Sequence, residues 1–174
     1  FGFVLAAYLL GIAFGAAIGG RACRREASPD RLWQLAMLAV LVSAALTPAL
    51  PAAFSAMRGA GIRNPGLDIA LIAMASAVLS FVFPIAHHLG APQGGSQQGR
   101  RFARVYTANV AGAALGPLVT GYLLLDWVSL QTAFLALAGL QLAGCAGLTM
   151  ARRRPAPRAV MALGALVAVA GLAA

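Results

Sequence analysis

The chain has 174 residues, 61% hydrophobic and only 10% charged, with a mean hydropathy of +0.84 and a formal charge of +9. A soluble domain is about a quarter charged, so this chain lacks the polar residues to coat a water-facing surface, and an ordinary soluble fold is excluded.

Apolar stretches recur along the chain at 1–20, 32–57, 67–89, 104–125, 130–150 and 159–174. Crossing a hydrocarbon core of ~30 Å takes about 20 helical residues. The first five stretches predict full spans and the sixth a partial one. Lipid admits only helices and closed barrels, and apolar runs without period-two alternation choose helices. The expected fold class is all-α: a polytopic transmembrane bundle of five full spans plus a partial sixth, forming one transmembrane domain over 1–174. The apolar start at Phe1, with no initiator methionine and no basic leader, reads as an excised part of a longer protein rather than a signal peptide.

The 13 basic residues are all arginine. With alternating spans, one face of the membrane receives Arg21, Arg24, Arg25 and Arg31, then Arg100, Arg101 and Arg104, then Arg152, Arg153, Arg154 and Arg158. The other receives Arg58 and Arg63. Eleven against two is a strong positive-inside bias. It predicts a bacterial inner-membrane protein with its arginine-rich loops in the cytoplasm, set against anionic lipid headgroups. Apart from Phe102, between Arg101 and Arg104, no aromatic residues interleave with these charges as a nucleic-acid stacking platform requires, so nucleic acid is not an expected partner.

Chemistry-bearing residues are sparse. The four carboxylates, Glu26, Asp30, Asp68 and Asp126, fall in loops or at span ends. His87 and His88 close the third span, and adjacent helical residues point about 100° apart, a poor grip on one metal. The segment 90–101 is glycine-rich but lacks the Lys-Ser/Thr ending of a phosphate loop. Cys23 and Cys145, one in a cytoplasmic loop and one within a span, do not predict a disulfide. No catalytic residue, metal site or cofactor site is expected in this chain. Coupled transporters place an ionisable residue at membrane depth, and none lies mid-span. Asn109 is the most suggestive polar group inside a span, with Tyr106 one turn earlier; small residues and hydroxyls make up the rest.

Glycine spacing says more. Gly11, Gly15 and Gly19 are four apart, and Ala108, Gly112 and Gly116 repeat the interval. Residues four apart share a helix face, and bare faces let backbones approach closely in lipid. The expectation is that Gly112 and Gly116 lie against another helix, first of all Gly11, Gly15 and Gly19. Asn109 would add an interhelical hydrogen bond, and Pro84 and Pro117 would kink their helices. Matched glycine faces also leave a homo-oligomer open.

The stretch "YTANVAGAALGPLVTGYLLLDWVSLQTAF", residues 106–134, resembles the membrane domain of bacterial integral-membrane spermidine synthase-like proteins, the fused MFS/spermidine synthase family. Tyr106, Asn109, Gly112, Gly116, Pro117 and Gly121 occupy the places of its Tyr-x-x-Asn-x-x-Gly-x-x-x-Gly-Pro motif and the glycine that follows. "FVLAAYLLGIAFGAAIGGR", residues 3–21, is similar to an earlier glycine-spaced span of the family, and "FVFP", residues 81–84, to its Phe-Pro. The resemblance implies a bundle joined to a cytoplasmic Rossmann-like aminopropyltransferase domain, which passes an aminopropyl group from decarboxylated S-adenosylmethionine to a polyamine such as putrescine. It also implies a further span, with a Tyr-Glu pair, ahead of Phe1. The carboxylate cluster and glycine-rich turn of such an enzyme are absent from this sequence, so its chemistry would lie outside these residues.

A second resemblance links "GGRACRREASPDR", residues 19–31, to the Gly-x-x-x-Asp-Arg loop of major facilitator transporters, with Cys23 and Arg24 near the place of the usual acid. Six spans would be half of that fold. The function expected is therefore the membrane domain of a spermidine synthase-like protein; the alternative is a transporter-like half bundle that moves a small or amphipathic molecule.

Overall fold

The computed structural model describes residues 2–25, 28–90 and 98–151. The described residues form the helices α1 (Gly2–Arg25), α2 (Pro29–Gly59), α3 (Pro65–Gly90), α4 (Gln98–Val119), a π-helical turn (Thr120–Leu124), α5 (Leu125–Trp127) and α6 (Leu130–Ala151). Five helical stretches are long and apolar enough to cross a membrane, the fourth running continuously from Gly99 to Trp127. The chain is an all-α, multi-pass membrane protein. The expected partial span at 159–174, with Arg152, Arg153, Arg154 and Arg158, lies outside the described residues.

Local chemistry sets the helix limits, which reach beyond the apolar stretches. Ser28 stands in extended backbone before Pro29 at the first position of α2, where the missing N–H of proline costs no helical bond. At the far end of α2, Gly61 adopts φ +73°, its N–H donates to Arg58 O at 3.1 Å, and Ile62 N–H donates to Met57 O at 2.8 Å. That is a Schellman stop, and its left-handed residue favours glycine. Asn64 Oδ1 then accepts from the N–H groups of Gly66 and Leu67 at 3.0 and 3.3 Å, capping α3 ahead of Pro65. Arg58 Nη2 donates to Asp68 Oδ2 at 2.9 Å and ties the end of α2 to the start of α3. Ser129 caps α6 by accepting from Thr132 N–H at 3.2 Å.

The neighbour order is α1, α3, α2, α6, with α4 beside α3. Along α1 the buried residues are Ala7, Gly11, Gly15 and Gly19, while Leu9, Leu10, Phe14 and Ile18 are exposed. Small residues inside and large apolar ones outside invert the soluble pattern. They fit a surface solvated by lipid, where association depends on close packing. Two clusters join the remaining helices. Leu32 and Ala36 of α2 pack with Ile85 of α3, and Met37, Leu41 and Ala44 of α2 pack with Leu142 and Cys145 of α6.

Candidate functional site

The glycine faces do not meet as the spacing suggests. Gly11, Gly15 and Gly19 lie against α3: a Cβ built on Gly11 would collide with Ser76 Oγ and the Ala73 carbonyl, one on Gly15 with the Ala77 carbonyl, and one on Gly19 would sit 2.5 Å from the Phe81 carbonyl. A Cβ on Gly112, Gly116 or Gly121 would meet nothing within 4 Å. The expected pairing of α1 with α4 is thus corrected to α1 with α3. The cause is composition: α3 presents Ala73, Ser76 and Ala77 at the contact, and their short side chains let the glycine backbone in.

The segment Gly99–Trp127, which carries the six motif positions, has none of its most apolar 18-residue window buried. Asn109 is exposed, and among the described residues it makes no interhelical hydrogen bond. The helix joins the bundle through its first turns. His87 of α3 lies with its ring centroid 4.4 Å from Phe83 and 4.8 Å from Phe102 of α4, and Phe102 stacks on Tyr106 at 6.5 Å. Both nitrogens of His87 are buried without a hydrogen-bond partner, so the imidazole serves as an aromatic spacer in this junction. Past Pro117, which cannot donate to residue 113, the helix rewinds through the π-turn, where Leu125 N–H reaches Thr120 O. Helix α3, by contrast, runs through Pro84 to Gly90 without a break.

Among the described residues most charged side chains stand at helix ends, with Arg63 in the turn between α2 and α3 and Arg104 in the second turn of α4. Arg24 and Arg25 lie in the last turn of α1, Asp30 in the first of α2, Arg58 in the last of α2 and Asp68 in the first of α3. Arg21 is exposed one turn before Arg25, and Arg100 and Arg101 are exposed in the first turn of α4. No three His, Cys, Asp or Glu residues gather among the described residues in a way that could hold a metal ion. Cys23 and Cys145 are both free thiols.

The polar centre of the bundle is elsewhere. A cavity of about 620 Å³ opens between α1, α2, α3 and α6, and its polar lining is Tyr8, Ser43, Thr47, Ser76 and Gln141. Gln141 stands halfway along α6, at membrane depth. Its Nε2 donates to Thr47 Oγ1 at 3.1 Å, and Thr47 Oγ1 donates to Ser43 O at 2.8 Å. Because the threonine hydroxyl spends its proton on Ser43 O, it can only accept from Gln141, which fixes the amide with its nitrogen toward Thr47. Gln141 Oε1 is left buried without a partner. An orphaned buried acceptor of this kind costs about 1–3 kcal/mol.

Proline makes this wall more polar. Pro48 and Pro51 lie inside α2, so the carbonyls of Ala44 and Thr47 cannot receive their usual bonds from residues 48 and 51. A second cavity of about 720 Å³ shares Pro51, Leu130 and Phe134 with the first and extends past Gln131 and Ser55, toward the end of the bundle that carries Arg58.

Sequence reasoning took Asn109 as the leading polar group within a span and passed over Gln141. The available signals were an amide in the middle of the fifth apolar stretch and the segment Thr47-Pro48-Ala49-Leu50-Pro51 opposite it. Compared with known families, curated proteins and solved structures, the chain matches none.

Proposed function

We propose that this bundle is the membrane domain of a spermidine synthase-like protein, holding a cytoplasmic aminopropyltransferase domain at its arginine-rich face. The observation that carries the reading is the motif helix. Tyr106, Asn109, Gly112, Gly116, Pro117 and Gly121 fall on one continuous apolar segment whose start is anchored to α3 and whose remaining length is left uncovered by the described helices. An uncovered motif helix fits a role in assembly with something beyond this bundle. The charge pattern supports a cytoplasmic placement for the ends bearing Arg24, Arg25, Arg100 and Arg101, in a bacterial inner membrane. Chemistry belongs to the attached domain: Asp30, Asp68 and Asp126 sit at the starts of three different helices and do not converge on an amine.

The test is aminopropyl transfer by the full-length gene product in isolated membranes, with putrescine and decarboxylated S-adenosylmethionine. Membrane-bound spermidine formation is expected, and none from residues 1–174 alone. Transfer by residues 1–174, or none by the full-length protein, overturns the reading.

The cavity at membrane depth favours a second reading, a transporter-like half bundle for a small or amphipathic molecule. The gene beyond Ala174 separates the two: a glycine-rich Rossmann turn supports the first, a repeat of these spans the second.

A further inference from the structure

We propose that an apolar groove between α1, α2 and α3 holds an acyl chain of an anionic phospholipid, whose phosphate is met by Arg21, Arg25 and Arg31 at the groove's end. Such a site needs only the membrane setting and holds whether the bundle anchors an enzyme or moves a solute.

The groove has a volume of about 310 Å³, and none of its lining side chains carries a nitrogen or an oxygen. Gly15 of α1, Ala39 of α2 and Ala77 and Phe81 of α3 form its floor. Its rims are Ile18 and Leu38, 53% and 58% exposed, so it opens outward and suits hydrocarbon. What stands at one end selects the lipid. A helix turns about 100° per residue, so Arg21 and Arg25 lie about 60° and 20° around α1 from Ile18. Arg31 lies about 20° around α2 from Leu38 by the same count. All three arginines are exposed. Leu32, next to Arg31, packs with Ala22 and Cys23, which brings the arginine-bearing ends of α1 and α2 together. Phe81 belongs to that cluster and to the groove, so the groove runs up to the arginines. Arg24 is turned away: its Nη1 lies 3.8 Å from a Cβ built on Gly20, on another face of α1.

Arg25 and Arg31 each stand seven residues from their rim residue, about 10 Å along the helix. That is comparable with the step from the hydrocarbon core to the headgroup layer. Residues 21–31 hold four arginines against Glu26 and Asp30, an excess that the single negative charge of a phosphodiester complements. A guanidinium fork matches phosphate geometry, and basic pockets between spanning helices suit anionic headgroups. A zwitterionic lipid brings its own cation and gains less from the same arginines.

The experiment places the chain in phosphatidylcholine vesicles with a trace of phosphatidylglycerol carrying a mid-chain diazirine. After irradiation, labelled peptides are mapped by mass spectrometry. Labels are expected at Ile18 and between Leu35 and Val42, and excess phosphatidylglycerol should displace them. A phosphatidylcholine probe with the same chain should label these positions about fivefold less, the worth of one arginine near a charged headgroup. Arg21→Gln combined with Arg25→Gln should lower the phosphatidylglycerol label at least about fivefold for the same reason. Arg100→Gln with Arg101→Gln, on α4 outside the groove, should leave it unchanged. Four outcomes each overturn the proposal: equal labelling by the two probes, labels as dense on the exposed Leu140 and Leu148 of α6 as in the groove, an unchanged label in the folded Arg21 and Arg25 variant, or an equal drop in the Arg100 and Arg101 variant. The comparison of the two probes needs no substitution and decides the matter if the Arg21 and Arg25 variant does not fold.

Discussion

Gly15 of α1 lies so close to Ala77 of α3 that a Cβ on the glycine would collide with the alanine's backbone carbonyl. The obstacle is main chain, which no rotamer change can move aside, so even Gly15→Ala must push the helices apart. We expect Gly15→Leu to destabilise the detergent-solubilised protein by about 1–3 kcal/mol or more through overpacking. Gly116→Leu, with open space around it, should melt at or above the parent, because leucine outranks glycine in a helix by up to about 1 kcal/mol. Thermal melts of the two variants side by side decide it. Equal loss in both would place Gly116 in a contact as well.

The turn between α2 and α3 separates capping from ion pairing. Asn64→Ala should cost about 1 kcal/mol, because two N–H groups at the start of α3 lose their acceptor. Arg58→Ala breaks a pair whose arginine is 58% exposed, and exposed pairs are worth about 0–1 kcal/mol. Its effect should vanish in high salt, whereas that of Asn64→Ala should persist. Chemical denaturation at two ionic strengths reads the difference.

The junction of α3 with α4 can be trapped. A Cβ on Gly90 would lie 2.9 Å from Val105 Cγ2, so the pair Gly90→Cys and Val105→Cys should form a disulfide readily in a background without Cys23 and Cys145. Adding His87→Ala removes the ring between Phe83 and Phe102 and should slow that cross-link several-fold. An unchanged rate would show that the imidazole does not hold the junction.

Sidedness is checked with single cysteines. Ile62→Cys, in the exposed turn after α2, should react with an impermeant maleimide added to intact cells. Arg25→Cys, exposed at the end of α1, should react only after the membrane is opened. The reverse pattern would invert the topology.

The helical class and the five full spans were legible because hydropathy is a sum over about 20 residues and survives local error. The contact map was not. Gly11, Gly15 and Gly19 announce a face that wants a close neighbour, but they do not name it. The partner, Ala73, Ser76 and Ala77, is a stretch of ordinary small residues with no glycine, while the more conspicuous Gly112 and Gly116 stand uncovered. The cavity was hidden for a related reason. Gln141, Thr47 and Ser76 lie on three separate helices, and only the order in which those helices pack brings them to one wall. The prolines at 48 and 51 change which backbone groups are free without leaving a gap in the apolar run.

The α1–α3 contact also has a consequence for synthesis. Its two partners are separated in the chain by the whole of α2, and the last of its three glycines, Gly19, is met by Phe81. At a ribosomal pace of about 5–20 residues per second, α1 waits roughly 3–12 s in the bilayer before Phe81 exists. During that interval its bare glycine face has only lipid or the insertion machinery to lean on. Nascent chains halted before Pro65 should therefore leave α1 open to cross-linking by lipid-borne probes, and chains extended past Gly90 should close it.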